Sequence, residues 1–250
     1  MKKEKEYLQN IYKRRLPRTN PFIMHIGDGK EMFVMASADN AFGKNMDMIS
    51  QYRSLYDTVL DLKGKISFSL NEAIEKAYSE EVIENFGFTN NVTIEEWYTY
   101  YYVENAIFRI EALWDILAQI YNLKYSLEDN KKHVMHSRVF SKKERLINEY
   151  WNGSMPSEIS EIADYINEEN DTSIEDGMWK GNYAYVHSLR NNMTHQISIS
   201  NNSFSSYAFS FKEPPSYMLK RVTECYAKLE DFIYDACENV MDESEDFKLV

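Results

Sequence analysis

Glycine is scarce in this sequence, with 8 among 250 residues, about half the usual share of roughly 7%. A glycine inside a helix costs about 1 kcal/mol relative to alanine. Its scarcity beside many Glu, Lys and Met therefore favours helices and argues against a turn-rich all-β chain. Cysteine is rarer still, at two residues. Cys225 and Cys237 fall on one predicted helix and lie about 18 Å apart at 1.5 Å per residue. A disulfide needs Cα atoms within about 7 Å, so these two cannot pair. Two unpaired thiols fit a reducing cytoplasm. No apolar run approaches the length of about 18 residues that a membrane span needs. Met1-Lys2-Lys3-Glu4-Lys5-Glu6-Tyr7 has basic residues with no apolar run behind them, so it does not read as a secretory signal. A cytoplasmic protein without a membrane partner is the expectation.

What is present is globular: 44% hydrophobic and 27% charged residues. The 19 tyrosines can fill a core while keeping a polar tip. A net charge of −12 argues against non-specific duplex-DNA binding by the whole surface. The charge is uneven, however. Lys2, Lys3, Lys5, Lys13, Arg14, Arg15 and Arg18 crowd the start, and Lys131, Lys132, Arg138, Lys142, Lys143 and Arg145 crowd a second stretch with His133 and His136. Such patches can meet phosphate, but solvated helix faces and a frayed terminus are the expected account of them.

The pattern along the chain predicts a mainly α fold with small β-hairpin additions. Two apolar runs around Gly27-Asp28-Gly29 predict a β-hairpin over residues 22–35. Helices are predicted over 44–63 and 71–86, joined through Gly64, with Asn71 capping the second. The clearest helix runs from about Ile94 to Leu123. There Val103, Ala106, Ile107, Ile110, Leu113, Trp114, Leu117, Ile120 and Tyr121 recur at steps of three and four, while Glu104, Asn105, Arg109, Glu111, Asp115 and Gln119 occupy the other side. Further helices are expected over 138–151, over 157–169 capped by Ser157, and over 182–197 capped by Asn182. A second hairpin with an Asn201-Asn202 turn is expected between Ile197 and Phe211. Pro214 and Pro215 then open a last helix from about Ser216 to Met241. Residues 1–90 read as an N-terminal extension, with a hairpin and helices, packed on a helical domain over 91–250.

Chemistry concentrates between Val186 and Ile197. His187, Asn191 and His195 stand four apart, which makes one polar stripe on a helix, and Arg190 flanks it. Tyr183, Val186, Leu189 and Met193 form the adjoining apolar side. A polar stripe beside an apolar seam suits a helix that lines a cleft or an interface. Arg190 and His195 are five apart and so do not share one face; the length of the arginine, or a local kink, must bring the guanidinium to the imidazole.

Arg190-Asn191-Asn192-Met193-Thr194-His195 resembles the signature of the HEPN superfamily: Arg, a polar residue, then His after four to six residues. Tyr102 to Asn122 is similar to the long helix that precedes the signature in HEPN bundles, and the resemblance covers about residues 92–240. It implies a HEPN-like helical bundle and metal-independent cleavage of RNA, typically in toxin–antitoxin or antiphage defence systems, with two signatures meeting across a homodimer. Arg190 would then hold the phosphoryl oxygens that gain charge. His195 would move a proton as acid or base, and Asn191 and His187 would orient the imidazole or bind phosphate. The implied products are a 2′,3′-cyclic phosphate and a 5′-hydroxyl. No cofactor and no metal are expected; RNA, a second copy of the chain, and an antitoxin or other partner protein are.

One position departs from the family pattern. HEPN toxins modified by a nucleotidyltransferase antitoxin often carry Tyr two residues after the His, and here that position is Ile197, so such control is not expected. No acidic partner of His195 stands out beyond Glu104 and Asp115. His133 and His136 lack the companions of a zinc site. The run Trp97-Tyr98-Thr99-Tyr100-Tyr101-Tyr102 can stack unpaired bases, but on a helix such rings point all round and most are expected in the core or at an interface. Three readings therefore stay open: an endoribonuclease; a catalytically inactive HEPN module that binds RNA, nucleotide or a partner protein; and a helical dimerisation domain whose Arg and His are structural.

Overall fold

In the computed structural model the described residues are 2–12, 23–26, 30–33, 41–87, 92–125, 127, 134–195, 198–204 and 209–244. Their order is α1 (Lys2–Asn10), β1 (Ile23–Ile26), β2 (Lys30–Phe33), α2 (Ala41–Ala77), α3 (Glu80–Asn85), α4 (Ile94–Tyr125), α5 (His136–Val139), α6 (Glu144–Trp151), α7 (Ser157–Ile166), α8 (Asn182–His195), β3 (Ser203–Phe204), β4 (Phe209–Ser210) and α9 (Pro215–Ser244). The protein is mainly helical. No helix among the described residues is long and apolar enough to cross a membrane. β1 and β2 pair antiparallel with Ile23 opposite Phe33, and β3 pairs with β4. The Gly27-Asp28-Gly29 turn, His133 and Ile197 lie outside the described residues.

The chain divides into two compact units that interleave along the sequence. One comprises Met1–Lys13, Leu62–Leu113 and Ser157–Glu230; the other comprises Arg14–Asp61, Trp114–Pro156 and Asp231–Val250. Three of the five boundaries fall inside α2, α4 and α9, and the other two follow Lys13 and Pro156.

The first unit is built on α4. Val103, Ala106, Ile107 and Ile110 are fully buried, as their spacing predicts, and with them Ile66, Leu70 and Ile74 of α2 and Val222, Cys225 and Leu229 of α9. Each large apolar side chain so buried contributes about 1.5–3 kcal/mol. That outweighs the cost of Gly64, and α2 runs unbroken through it. The helix predicted over 44–63 and the start of the one predicted over 71–86 are thus one, and Asn71 caps nothing: its Oδ1 accepts from the Tyr12 hydroxyl at 2.7 Å. Ser79 caps the next helix instead, accepting from the Val82 backbone N–H at 3.3 Å. Helix α1, which carries Lys2, Lys3 and Lys5 of the basic start, is docked, not frayed. Leu8 is fully buried, and Lys5 and Gln9 both donate to Glu75 at 2.6 Å.

The second unit packs Trp114, Leu117 and Tyr121 of α4 with Val139, Phe140, Trp151, Phe232 and Ile233. The ring of Tyr121 meets Phe140 edge-on at 6.0 Å, and Trp151 Nε1 donates to the Val139 carbonyl at 2.9 Å. The predicted helix over 138–151 is split here into α5 and α6. At the break Ser141 Oγ accepts from the Lys143 N–H at 3.2 Å, a local bond that competes with the helical ladder. Cys225 and Cys237 are both buried, and neither forms a disulfide.

Candidate functional site

The helix that carries the signature, α8, is fixed at its start by buried charge. Gly181 precedes it at φ +71°, and a Cβ there would stand 2.8 Å from the Asn170 Cα. Only glycine fits that approach. Arg221, 1% exposed, donates to the Gly181 carbonyl at 2.9 Å and to Asn170 Oδ1 at 2.5 Å. Glu224, wholly buried, accepts from the Trp179 N–H at 2.8 Å, from Asn182 Nδ2 at 3.0 Å and from Lys220 Nζ at 2.7 Å. Tyr7 of α1 adds its hydroxyl at 3.1 Å. A buried carboxylate is tolerated only when paired and hydrogen-bonded in this way. Asn182, expected to cap α8 through its oxygen, directs its amide to Glu224 and to the Trp179 carbonyl.

Along α8, Tyr183 and Val186 are buried and hold the helix against its unit. His187 is half-buried; its ring stacks on Tyr183 at 5.7 Å and 11°, and its Nδ1 lies 3.1 Å from Oε2 of Glu111 on α4. A buried carboxylate beside an imidazole fixes the ring's orientation. One turn on, Arg190 Nη1 donates to Asn191 Oδ1 at 3.1 Å. A guanidinium has five donors, and Asn191 takes one of them. Thr194 Oγ1 donates to the Arg190 carbonyl at 2.9 Å. His195 is the last residue of α8, and its side chain lies outside the described residues.

Arg190 and Asn191 are thus brought together and His187 is drawn to α4. Of the two acids singled out on α4, Glu104 accepts from Ser198 Oγ at 3.0 Å, just beyond the signature. Burial raises its carboxyl above the ordinary range, against the lowering effect of bonds from Ser198 and the Ile199 N–H. Asp115 belongs to the other unit and is taken by His136, whose Nδ1 is 2.6 Å away and whose N–H is 3.1 Å away. The acid that meets a signature-helix histidine is Glu111, which sequence reasoning placed on the polar side but did not single out. Its signal was the seven-residue step from Glu104, which puts both carboxylates on one face of α4.

No family model matches the chain, and no curated protein or solved structure matches it either.

Proposed function

We propose that this chain is a HEPN-type endoribonuclease that cleaves RNA without metal. The supporting observation is the Arg190–Asn191 pair, half-exposed on α8, a helix anchored by Gly181, Arg221 and Glu224. An arginine held by a neutral partner on an anchored helix keeps its charge for a phosphate and is pre-oriented to meet it. In the reaction the ribose 2′-oxygen attacks the adjacent phosphorus. The O2′–P bond forms and the P–O5′ bond breaks. One base takes the 2′-OH proton and one acid protonates the departing O5′. Arg190 stabilises the equatorial oxygens and His195 serves as one of the proton carriers. A second copy of the chain supplies the other imidazole, because an isologous interface presents the same patch twice.

The test is incubation of the purified protein with mixed RNA in EDTA, followed by analysis of the ends. Cyclic phosphate and 5′-hydroxyl ends are expected. Activity that EDTA abolishes and magnesium restores, or 3′-hydroxyl ends, contradicts the proposal, since 2′-OH attack cannot make the latter. RNA bound but never cut favours the inactive binding module instead.

A further inference from the structure

Ile94, Trp97, Tyr98, Tyr101, Tyr102 and Phe108 recur on α4 at steps of three, four and seven, opposite the core-facing Val103, Ile107 and Ile110. Ile94 is 59% exposed, and Trp97, Tyr101 and Phe108 are each 46% exposed. The aromatic run does not point all round the helix; only Tyr100 among its rings enters the core. A helix normally turns polar residues to that side, and an uncovered apolar patch marks a binding surface. The rings are ordered against each other. Trp97 and Tyr101 stack at 5.6 Å and 10°, Tyr98 and Tyr102 at 6.3 Å and 26°, and Phe68 of α2 meets Tyr102 edge-on at 6.1 Å.

Beside these rings a groove of about 280 Å³ opens between α2 and α4, lined by Gly64, Lys65, Phe68, Tyr101, Tyr102 and Arg109. A Cβ on Gly64 would meet nothing within 4 Å, so the groove is open beside it. Arg109 Nη1 donates to the carbonyl and side-chain oxygens of Asn105 at 2.6 and 3.1 Å. Those bonds fix the guanidinium at the groove, and neither oxygen carries a charge to offset it. Ring faces beside this guanidinium match an unpaired base and its phosphate.

We infer that this face of α2 and α4 binds single-stranded RNA, seating an unpaired base against Tyr101 and Trp97 with its phosphate at Arg109. The choice of RNA over DNA rests on the reading of α8 above; the groove itself stands on rings and charge. With a net charge of −12 on the chain, attraction is local, and affinity falls steeply as salt rises.

The experiment uses the full chain carrying His195→Ala, so that the probe survives, and a labelled uridylate of about twelve nucleotides read by anisotropy and by quenching of tryptophan fluorescence. Tyr101→Ala is expected to weaken binding about 5- to 100-fold. Arg109→Gln is expected to weaken it and to lower the salt slope by about 0.7. Duplex RNA should bind more weakly, because its bases are already stacked. Unchanged affinity in both variants, with circular dichroism preserved, overturns the inference. So does equal binding of single-stranded DNA, for the RNA assignment, and so does a Tyr101→Ala change that turns a dimer into a monomer, which gives the face to a second copy. A wild-type chain that binds through Tyr101 yet never cleaves fails the α8 reading alone. One that cleaves while both groove variants bind normally fails the groove alone.

Discussion

Nδ2 of Asn182 donates to Oε2 of Glu224 at 3.0 Å, so the first residue of α8 is bonded to a fully buried carboxylate of α9. The signature helix is therefore aimed by a charge cluster that meets it about two turns before Arg190. Glu224→Ala should remove about 3–5 kcal/mol, because Lys220 and the Trp179 and Asn182 donors lose their acceptor in a dry site. Thermal unfolding checks this: at roughly 2–4 °C per kcal/mol for a chain of this size, the midpoint should fall by about 6–20 °C. A change within a degree or two would mean that the cluster does not anchor α8.

Two glycines should respond oppositely to the same substitution. Gly181→Ala forces a Cβ to within 2.8 Å of backbone at a positive φ and should destabilise by about 2–5 kcal/mol. Gly64→Ala adds a methyl in helical backbone where nothing lies within 4 Å, and it should stabilise by about 0.5–1 kcal/mol. Denaturant melts of the two variants decide the matter, and equal signs would contradict it.

Stability should fall on the alkaline side. Burial pushes the Cys237 thiol from 9.0 up to about 11, a bond to Tyr52 partly opposing it. Burial and the charge of Glu230 push Tyr12 from 10.0 up to about 12. Burial likewise raises Tyr100, Tyr185 and Tyr226, helped by Glu96, Glu213 and Glu230 respectively. The folded state thus keeps protons that the unfolded state has lost, so stability declines as pH rises. The contribution of these groups is fully present below about pH 9, where the unfolded thiol begins to ionise, and is lost progressively toward pH 12. Melting midpoints across that range, beside the ultraviolet absorbance of phenolate, measure it. A midpoint that is flat to pH 12 would count against the assigned burial.

The proposed chemistry needs two imidazoles, so hybrid dimers should be impaired. Mixing His195→Ala chains with wild-type chains should lower the specific activity of the wild-type chains, and an anion that bridges Arg190 and its copy should tighten the dimer. Full activity as a monomer at nanomolar concentration is the contrary result.

Much of the helical core was legible in the sequence because helical periodicity is local: every apolar position picked on α4 from Val103 to Tyr121 is buried. Breaks were harder to read. Gly64 looked like a joint because propensity is a weak signal, and the burial of Ile66, Leu70 and Ile74 overrode it. The gap between α5 and α6 depends on one Ser141 bond that no periodicity reports. At the candidate site, the order Arg190, Asn191, His195 could be read directly. The partners could not, because Glu111, Glu224 and Arg221 reach α8 from elements far away in sequence. Gly181 before Asn182 was the one local hint, a glycine immediately ahead of a helix start.

The most direct test of the central claim is the cleavage rate of Arg190→Ala and His195→Ala chains on single-stranded RNA in EDTA, with folding checked by circular dichroism. Loss of a proton carrier costs about 10²–10⁴-fold, and loss of a charge stabiliser is of similar size. The expected result is that wild type yields cyclic phosphate ends while both variants fall by at least about 10²-fold and remain folded. Wild-type rates in both folded variants would contradict the account.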